Sequence, residues 1–208
     1  MHPHDPTLRL GHPLKNARAA VILIHGRGSS AEDMVTLADA LDLADVAVLA
    51  PSAPGGSWYP QRFLVPLAQN EPSLTRALQR IAGLVQEAST AGLTTDRIAL
   101  IGFSQGACLA LEHTAREGTR YGFTAGLSGA LIGPLATPRP KRDLHGTPIL
   151  LGCAEADAHI PFDYVEHSAA VLAGMNARVT KQVFPGGAHT VFPEEVTWLN
   201  QQLAQLRE

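Results

Sequence analysis

Short, strongly apolar runs recur along the chain at residues 20–24, 46–50, 98–103, 123–127, 149–153 and 179–184. Runs of this kind, without in-and-out alternation, suit strands covered on both faces. Between them the apolar positions take helical spacing, at 31–41, 73–91, 105–117, 162–173 and 193–206. Strand then helix, repeated, predicts a mainly parallel sheet with helices on both faces, an α/β fold. No internal repeat, linker or low-complexity segment breaks the pattern. A length of 208 residues suits one domain around one core.

In an open sheet of this type, sites form in the loops beyond the carboxyl ends of the strands. The longest such loop runs from Pro51 to about Pro72 and carries Trp58, Tyr59 and Phe63 among prolines and glycines. Loops of that length in a compact domain are more often functional than idle.

Composition narrows the field further. The chain is 45% hydrophobic and 17% charged, a globular balance. Its 16 basic and 19 acidic residues give a formal net charge of −3 with no Lys/Arg cluster, so nucleic acid is excluded as an expected partner. The start, Met1 to Pro6, lacks the basic and apolar parts of a secretory signal, and no stretch approaches the roughly 18 apolar residues of a membrane span. The expected location is therefore the cytoplasm. Cys108 and Cys153 lie inside apolar runs and are expected as buried thiols. The histidines show no metal-ligand spacing, His2 and His4 are expected at a mobile end, and neither a metal nor a cofactor is implied.

The chemistry concentrates after the third apolar run. Gly102-Phe103-Ser104-Gln105-Gly106 follows the strand and leads into a helix-forming segment. Gly-x-Ser-x-Gly in a strand–turn–helix setting presents a serine hydroxyl on a strained turn, with glycines where two backbones must pass closely. Composition alone yields this pattern roughly 0.08 times per chain, so chance is a weak competitor. The prediction is an α/β-hydrolase fold with Ser104 as nucleophile. Ser128, in Gly126-Leu127-Ser128-Gly129, lacks the second spaced glycine and reads as a turn serine.

A serine nucleophile needs a base, and imidazole suits the role. In this fold the order along the chain is Ser, then Asp or Glu, then His. His113 and His167 fall within helical spacing and are expected at the surface, and His145 precedes a strand, at the wrong end of the sheet. His189 follows the last strand in a glycine-rich turn and is the chosen base. His159 comes too early to leave room for a separate carboxylate and reads as a pocket wall or structural residue. The carboxylate then lies in the loop after residue 153, where Asp157 is preferred to Glu155, while Asp163 starts the next helix.

Two backbone N–H groups should receive the negative charge formed on the attacked carbonyl oxygen. Chain position nominates Gln105 and, in the loop His25-Gly26-Arg27-Gly28, Arg27. The Arg27 side chain is expected in solvent, with an anionic group of the substrate as the alternative, and His25 is expected to fix its loop without touching substrate.

Five blocks together resemble the phospholipase/carboxylesterase family of α/β-hydrolases, which includes the acyl-protein thioesterases: residues 23–28, 57–60, 102–107, 157–161 and 187–189. The resemblance implies a triad of Ser104, Asp157 and His189. The Trp58-Tyr59-Pro60 and His25-Gly26-Arg27-Gly28 blocks look like the bacterial carboxylesterase branch. Dienelactone hydrolases look related but carry a cysteine where Ser104 stands.

No insertion between residues 127 and 149 is large enough for a multi-helix lid, so an open site for short-chain acyl esters is expected. Trp58, Tyr59, Phe63, Ile160 and Phe192 are the candidates for its acyl wall. The expected partner is a small-molecule ester, and the last helix and the Trp58 loop are the places for a homodimer contact. The alternatives are a thioesterase or lysophospholipase with the same triad and, outside enzymes, a non-catalytic binding module on this fold.

Overall fold

The structure, a computed structural model, describes residues 6–208. The expectations for His2 and His4 concern residues outside that range. Seven strands form one sheet: β1 (Thr7–Gly11), β2 (Ala19–Ile24), β3 (Val46–Pro51), β4 (Ile98–Phe103), β5 (Phe123–Leu127), β6 (Pro148–Ala154) and β7 (Arg178–Phe184). Their spatial order is β1-β3-β2-β4-β5-β6-β7. Only β1 is antiparallel to its neighbour, with Thr7 opposite Pro51 and Gly11 opposite Ala47. This is the mostly parallel sheet of an α/β-hydrolase fold.

Side chains alternate between the two faces of a strand, and here both faces are covered. On one face Ala20, Ile22, Ile24, Leu100 and Leu151 join a core with helices α2 (Ser73–Thr90), α3 (Gln105–Glu117) and α4 (Phe162–Gly174). On the other, Val21, Leu23, Val48, Ile101 and Leu127 pack with α1 (Val35–Asp39) and α5 (Pro193–Leu206). That double burial explains why β2 through β6 read as unbroken apolar runs. Helix α2 shows the complementary rule: Leu74, Ala77, Leu78, Ile81, Leu84, Val85 and Ala88 form one buried stripe at three- and four-residue spacing.

Four expectations need correction. β1 was not among the predicted strands, because Leu8 and Leu10 alternate with Thr7 and Arg9 on a five-residue edge strand and form no apolar run. β7 is also an edge strand, and its Thr180, Lys181 and Gln182 are not covered on both faces. The helix expected at 31–41 is a 3-10 turn, Glu32–Met34, followed by five α-helical residues. His113, expected at the surface, is 2% exposed and bonded through Nε2 to the Tyr121 hydroxyl at 2.9 Å. Burial pushes its pKa down to about 4, so it sits in the core as a neutral side chain. Both cysteines are buried, as their apolar settings required.

Candidate active site

The carboxyl ends of β2, β3, β4, β6 and β7 lie along one edge of the parallel sheet, and the loops leaving them meet there. Ser104 follows β4 and precedes α3. Its N–H donates to Leu127 O at 2.9 Å, continuing the ladder to β5, while its own carbonyl accepts the Cys108 N–H at 3.0 Å, opening the helix. Held from both sides, it adopts φ 54°, ψ −115°, a conformation that costs a non-glycine residue about 1–3 kcal/mol. The flanking glycines are sterically required. A Cβ on Gly106 would stand 2.1 Å from Ile24 O, and one on Gly102 would stand 2.2 Å from Gly106 O.

The strained turn aims Ser104 Oγ at His189 Nε2, 2.8 Å away, and His189 Nδ1 lies 2.7 Å from Asp157 Oδ2. An ionised carboxylate only accepts, so Nδ1 carries the proton and Nε2 is left to accept from the serine. The Asp157 side chain is fully buried; its other oxygen, Oδ1, accepts the N–H groups of His159 (2.7 Å) and Ile160 (3.2 Å). Burial acts to raise the Asp157 pKa, but the His189 hydrogen bond and these two amides outweigh it and hold the carboxyl below its ordinary range. Glu155, the other acid of the loop, is exposed.

Arg27 and Gln105 both line the cleft above Ser104, and among the described residues neither backbone N–H donates to a protein acceptor. Two amide donors lining the same cleft as the Ser104 hydroxyl can receive the charge of a tetrahedral adduct. His25 is wholly buried: Ala53 N–H donates to its Nε2 at 2.9 Å, so its Nδ1–H donates to Gly26 O at 2.7 Å. Burial lowers its pKa, and the neutral ring holds the glycine turn.

Several side chains depart from the sequence reading. Trp58 does not line the cleft; it is 3% exposed, and its Nε1–H donates to His25 O at 2.8 Å. It supports the loop that carries Arg27. Phe192 is likewise absent from the cleft and stacks on Phe184, ring centroids 3.8 Å apart. Arg27 is exposed, as expected, but its guanidinium is also tied down, donating to the carbonyls of Tyr59, Pro60 and Gln61. Tyr59, Phe63 and Ile160 do line the cleft, all nearly buried, together with Cys108, which the sequence reading had placed only in the core.

The sequence profile of the phospholipase/carboxylesterase family matches residues 8–206. The chain belongs to that family. It is thus a hydrolase of the esterase and thioesterase kind. The crystal structure of a phospholipase/carboxylesterase from Dyadobacter fermentans is 36% identical, covers 98% of this chain and 99% of its own, and superposes with a TM-score of 0.91. Acyl-protein thioesterase 1 of Yarrowia lipolytica is 29% identical over 98% of this chain and 100% of its own. A probable carboxylesterase, SOBER1-like, of Arabidopsis thaliana is 25% identical over 91% of this chain and 79% of its own.

In this member of the family the loop after β3 is fixed to the start of α3 by one side chain. Gln105 Oε1 accepts the Trp58 N–H at 3.0 Å, and its Nε2 donates to Tyr59 O at 2.8 Å. His159 lines the cleft with its ring centroid 4.6 Å from that of His189, a pocket-wall position. Ser128 is a buried turn residue at φ 52° whose hydroxyl donates to Thr190 O, next to His189. Nothing local in the sequence marks that tie, since it joins residues 62 apart. Among the described residues no cluster of His, Cys, Asp and Glu suits a metal ion, and no helix is long and apolar enough to cross a membrane.

Proposed function

We propose that this hydrolase is a serine carboxylesterase acting on short-chain acyl esters through an acyl-enzyme on Ser104. The observation that carries the reading is the unbroken series Ser104 Oγ, His189, Asp157 in one cleft, with hydrogen bonds of 2.8 and 2.7 Å. As Oγ attacks the ester carbonyl carbon, its proton passes to His189 Nε2, and Asp157 stabilises the imidazolium that results. The carbonyl oxygen, now negative, takes hydrogen bonds from the Arg27 and Gln105 amides. Collapse of the adduct breaks the bond to the alkoxy oxygen, which leaves with the Nε2 proton. A water then repeats the sequence on the acyl-enzyme, releasing the acid and restoring the Ser104 hydroxyl.

The size of the acyl group follows from the walls. The cleft has a volume of about 390 Å³, and its inner surface is made by the nearly buried Tyr59, Phe63, Cys108 and Ile160. Residues 128–147 contain no helix and so supply no multi-helix lid. These features favour short acyl chains over long ones. The likeness to acyl-protein thioesterase 1 supports a second reading, a thioesterase, which the same series of groups would serve. Rates on p-nitrophenyl esters of rising acyl length, with matched thioesters, separate the two. The carboxylesterase reading predicts a maximum at short chains and higher kcat/KM on esters; a maximum on long-chain thioesters overturns it.

A further inference from the structure

Resting on the esterase reading above, we infer that the cleft selects esters bearing an anionic group, a carboxylate above all, and that Arg62 is the side chain that meets it. Two arginines, Arg27 and Arg62, line the cleft with His159 and His189, and no Asp or Glu does. Among the described residues neither arginine forms an ion pair. Two nearby acids are already engaged. Asp157 serves His189 and two backbone amides, and Asp33 Oδ2 accepts from Ser29 Oγ and from the N–H and hydroxyl of Ser30.

The two guanidinium groups differ in what they have left to offer. Arg27 donates to three carbonyls of residues 59–61 and acts as a brace for that loop. Arg62 is exposed and makes one side-chain hydrogen bond, from Nη2 to His159 O at 3.1 Å, joining the loop after β3 to the loop that carries Asp157. Its remaining N–H donors carry no protein acceptor among the described residues. A guanidinium fork matches a carboxylate with two parallel hydrogen bonds. Positive charge at a concave, partly apolar site also raises the local concentration of anions and lowers that of cations. A neutral ester leaves this charge unused; a choline ester is opposed by it.

The test uses two matched pairs of substrates, one with the anion on the acyl side and one with it on the leaving group. p-Nitrophenyl butyrate is compared with mono-p-nitrophenyl glutarate, and phenyl acetate with 4-acetoxybenzoate, each corrected for its hydroxide-catalysed rate. In at least one pair the anionic member has the higher kcat/KM in wild type. That anionic-to-neutral ratio falls about tenfold in Arg62→Gln, is partly kept in Arg62→Lys, which retains the charge without the fork, and declines with added salt. Loss of the strap to His159 would slow both members alike, so the ratio isolates the charge. If the neutral esters turn over and the ratio is the same in wild type and Arg62→Gln, the inference is wrong and the esterase reading stands. If no ester turns over in the folded protein, both fall together.

Discussion

Glu195 Oε1 stands where a side chain on residue 152 would have to go: a Cβ added to Gly152 would lie 1.7 Å from it. The carboxyl is wholly buried. Its Oε2 accepts the Phe192 N–H at 2.7 Å, capping α5, while Oε1 has no partner among the described residues. It thereby secures the start of the helix that follows the His189 loop. Burial raises the Glu195 pKa to about 7.

The sign of the pH effect follows from that direction. Between the unfolded value of 4.5 and about 7 the folded protein holds a proton that the unfolded chain has released. Stability therefore falls as pH rises through this window, by up to about 3 kcal/mol, and stays reduced above it. Glu195→Gln keeps an oxygen acceptor for Phe192 and removes the titration. Denaturant melts at pH 5 and pH 8 should show the variant gaining on wild type by a few kcal/mol at the higher pH. A difference between the two proteins that does not change with pH contradicts the account.

Gly106→Ala places a methyl group 2.1 Å from Ile24 O, a backbone atom that can yield only if β2 and α3 separate. The expected cost is about 3 kcal/mol of stability. Because Ser104 opens α3, a shift of that helix moves its hydroxyl, and the proposed esterase activity should fall further than stability alone explains. Thermal melting and kcat on the same preparation would show this, and a variant with wild-type melting and wild-type kcat would refute the close-packing argument.

Trp58 and Phe63 make opposite predictions although they lie five positions apart in one loop. Trp58→Phe loses the hydrogen bond to His25 O, and a stability loss of about 1 kcal/mol is expected with little change in acyl-length preference. Phe63→Ala enlarges the inner wall of the cleft, so the preferred p-nitrophenyl ester should shift to a longer chain. A profile altered by Trp58→Phe and unmoved by Phe63→Ala would reverse these roles.

Asp157→Asn preserves volume but presents an N–H donor to His189 Nδ1, which favours the tautomer unable to accept from Ser104. A loss of about 10⁴ in kcat is expected if the relay operates as proposed. A loss below tenfold in a properly folded variant would remove Asp157 from the proposed mechanism.

Much of this fold was legible because double-sided burial writes itself into β2 to β6 as continuous apolar runs, and because Gly102 and Gly106 are forced by sterics. Strand-end loops then limited where Ser104, Asp157 and His189 could stand, and the structure brings their side chains within hydrogen-bonding distance. What escaped has a common physical cause. β1 gains its partner from β3, some forty residues away, and its own alternation is too short to announce it. Trp58, the Arg27 guanidinium and His113 are placed by contacts with carbonyls or a hydroxyl, and a sequence gives residue types without giving those acceptors. An aromatic residue in a long loop reads the same whether it faces a ligand or the core.

The central claim is that Ser104 is the nucleophile, and covalent labelling tests it most directly. A fluorophosphonate probe, followed by intact-mass and peptide mass spectrometry, should add one adduct to the wild-type chain, located on Ser104, and none to Ser104→Ala or to wild type unfolded beforehand. A folded wild type that takes no label, or an adduct on another residue that persists in Ser104→Ala, would contradict the account.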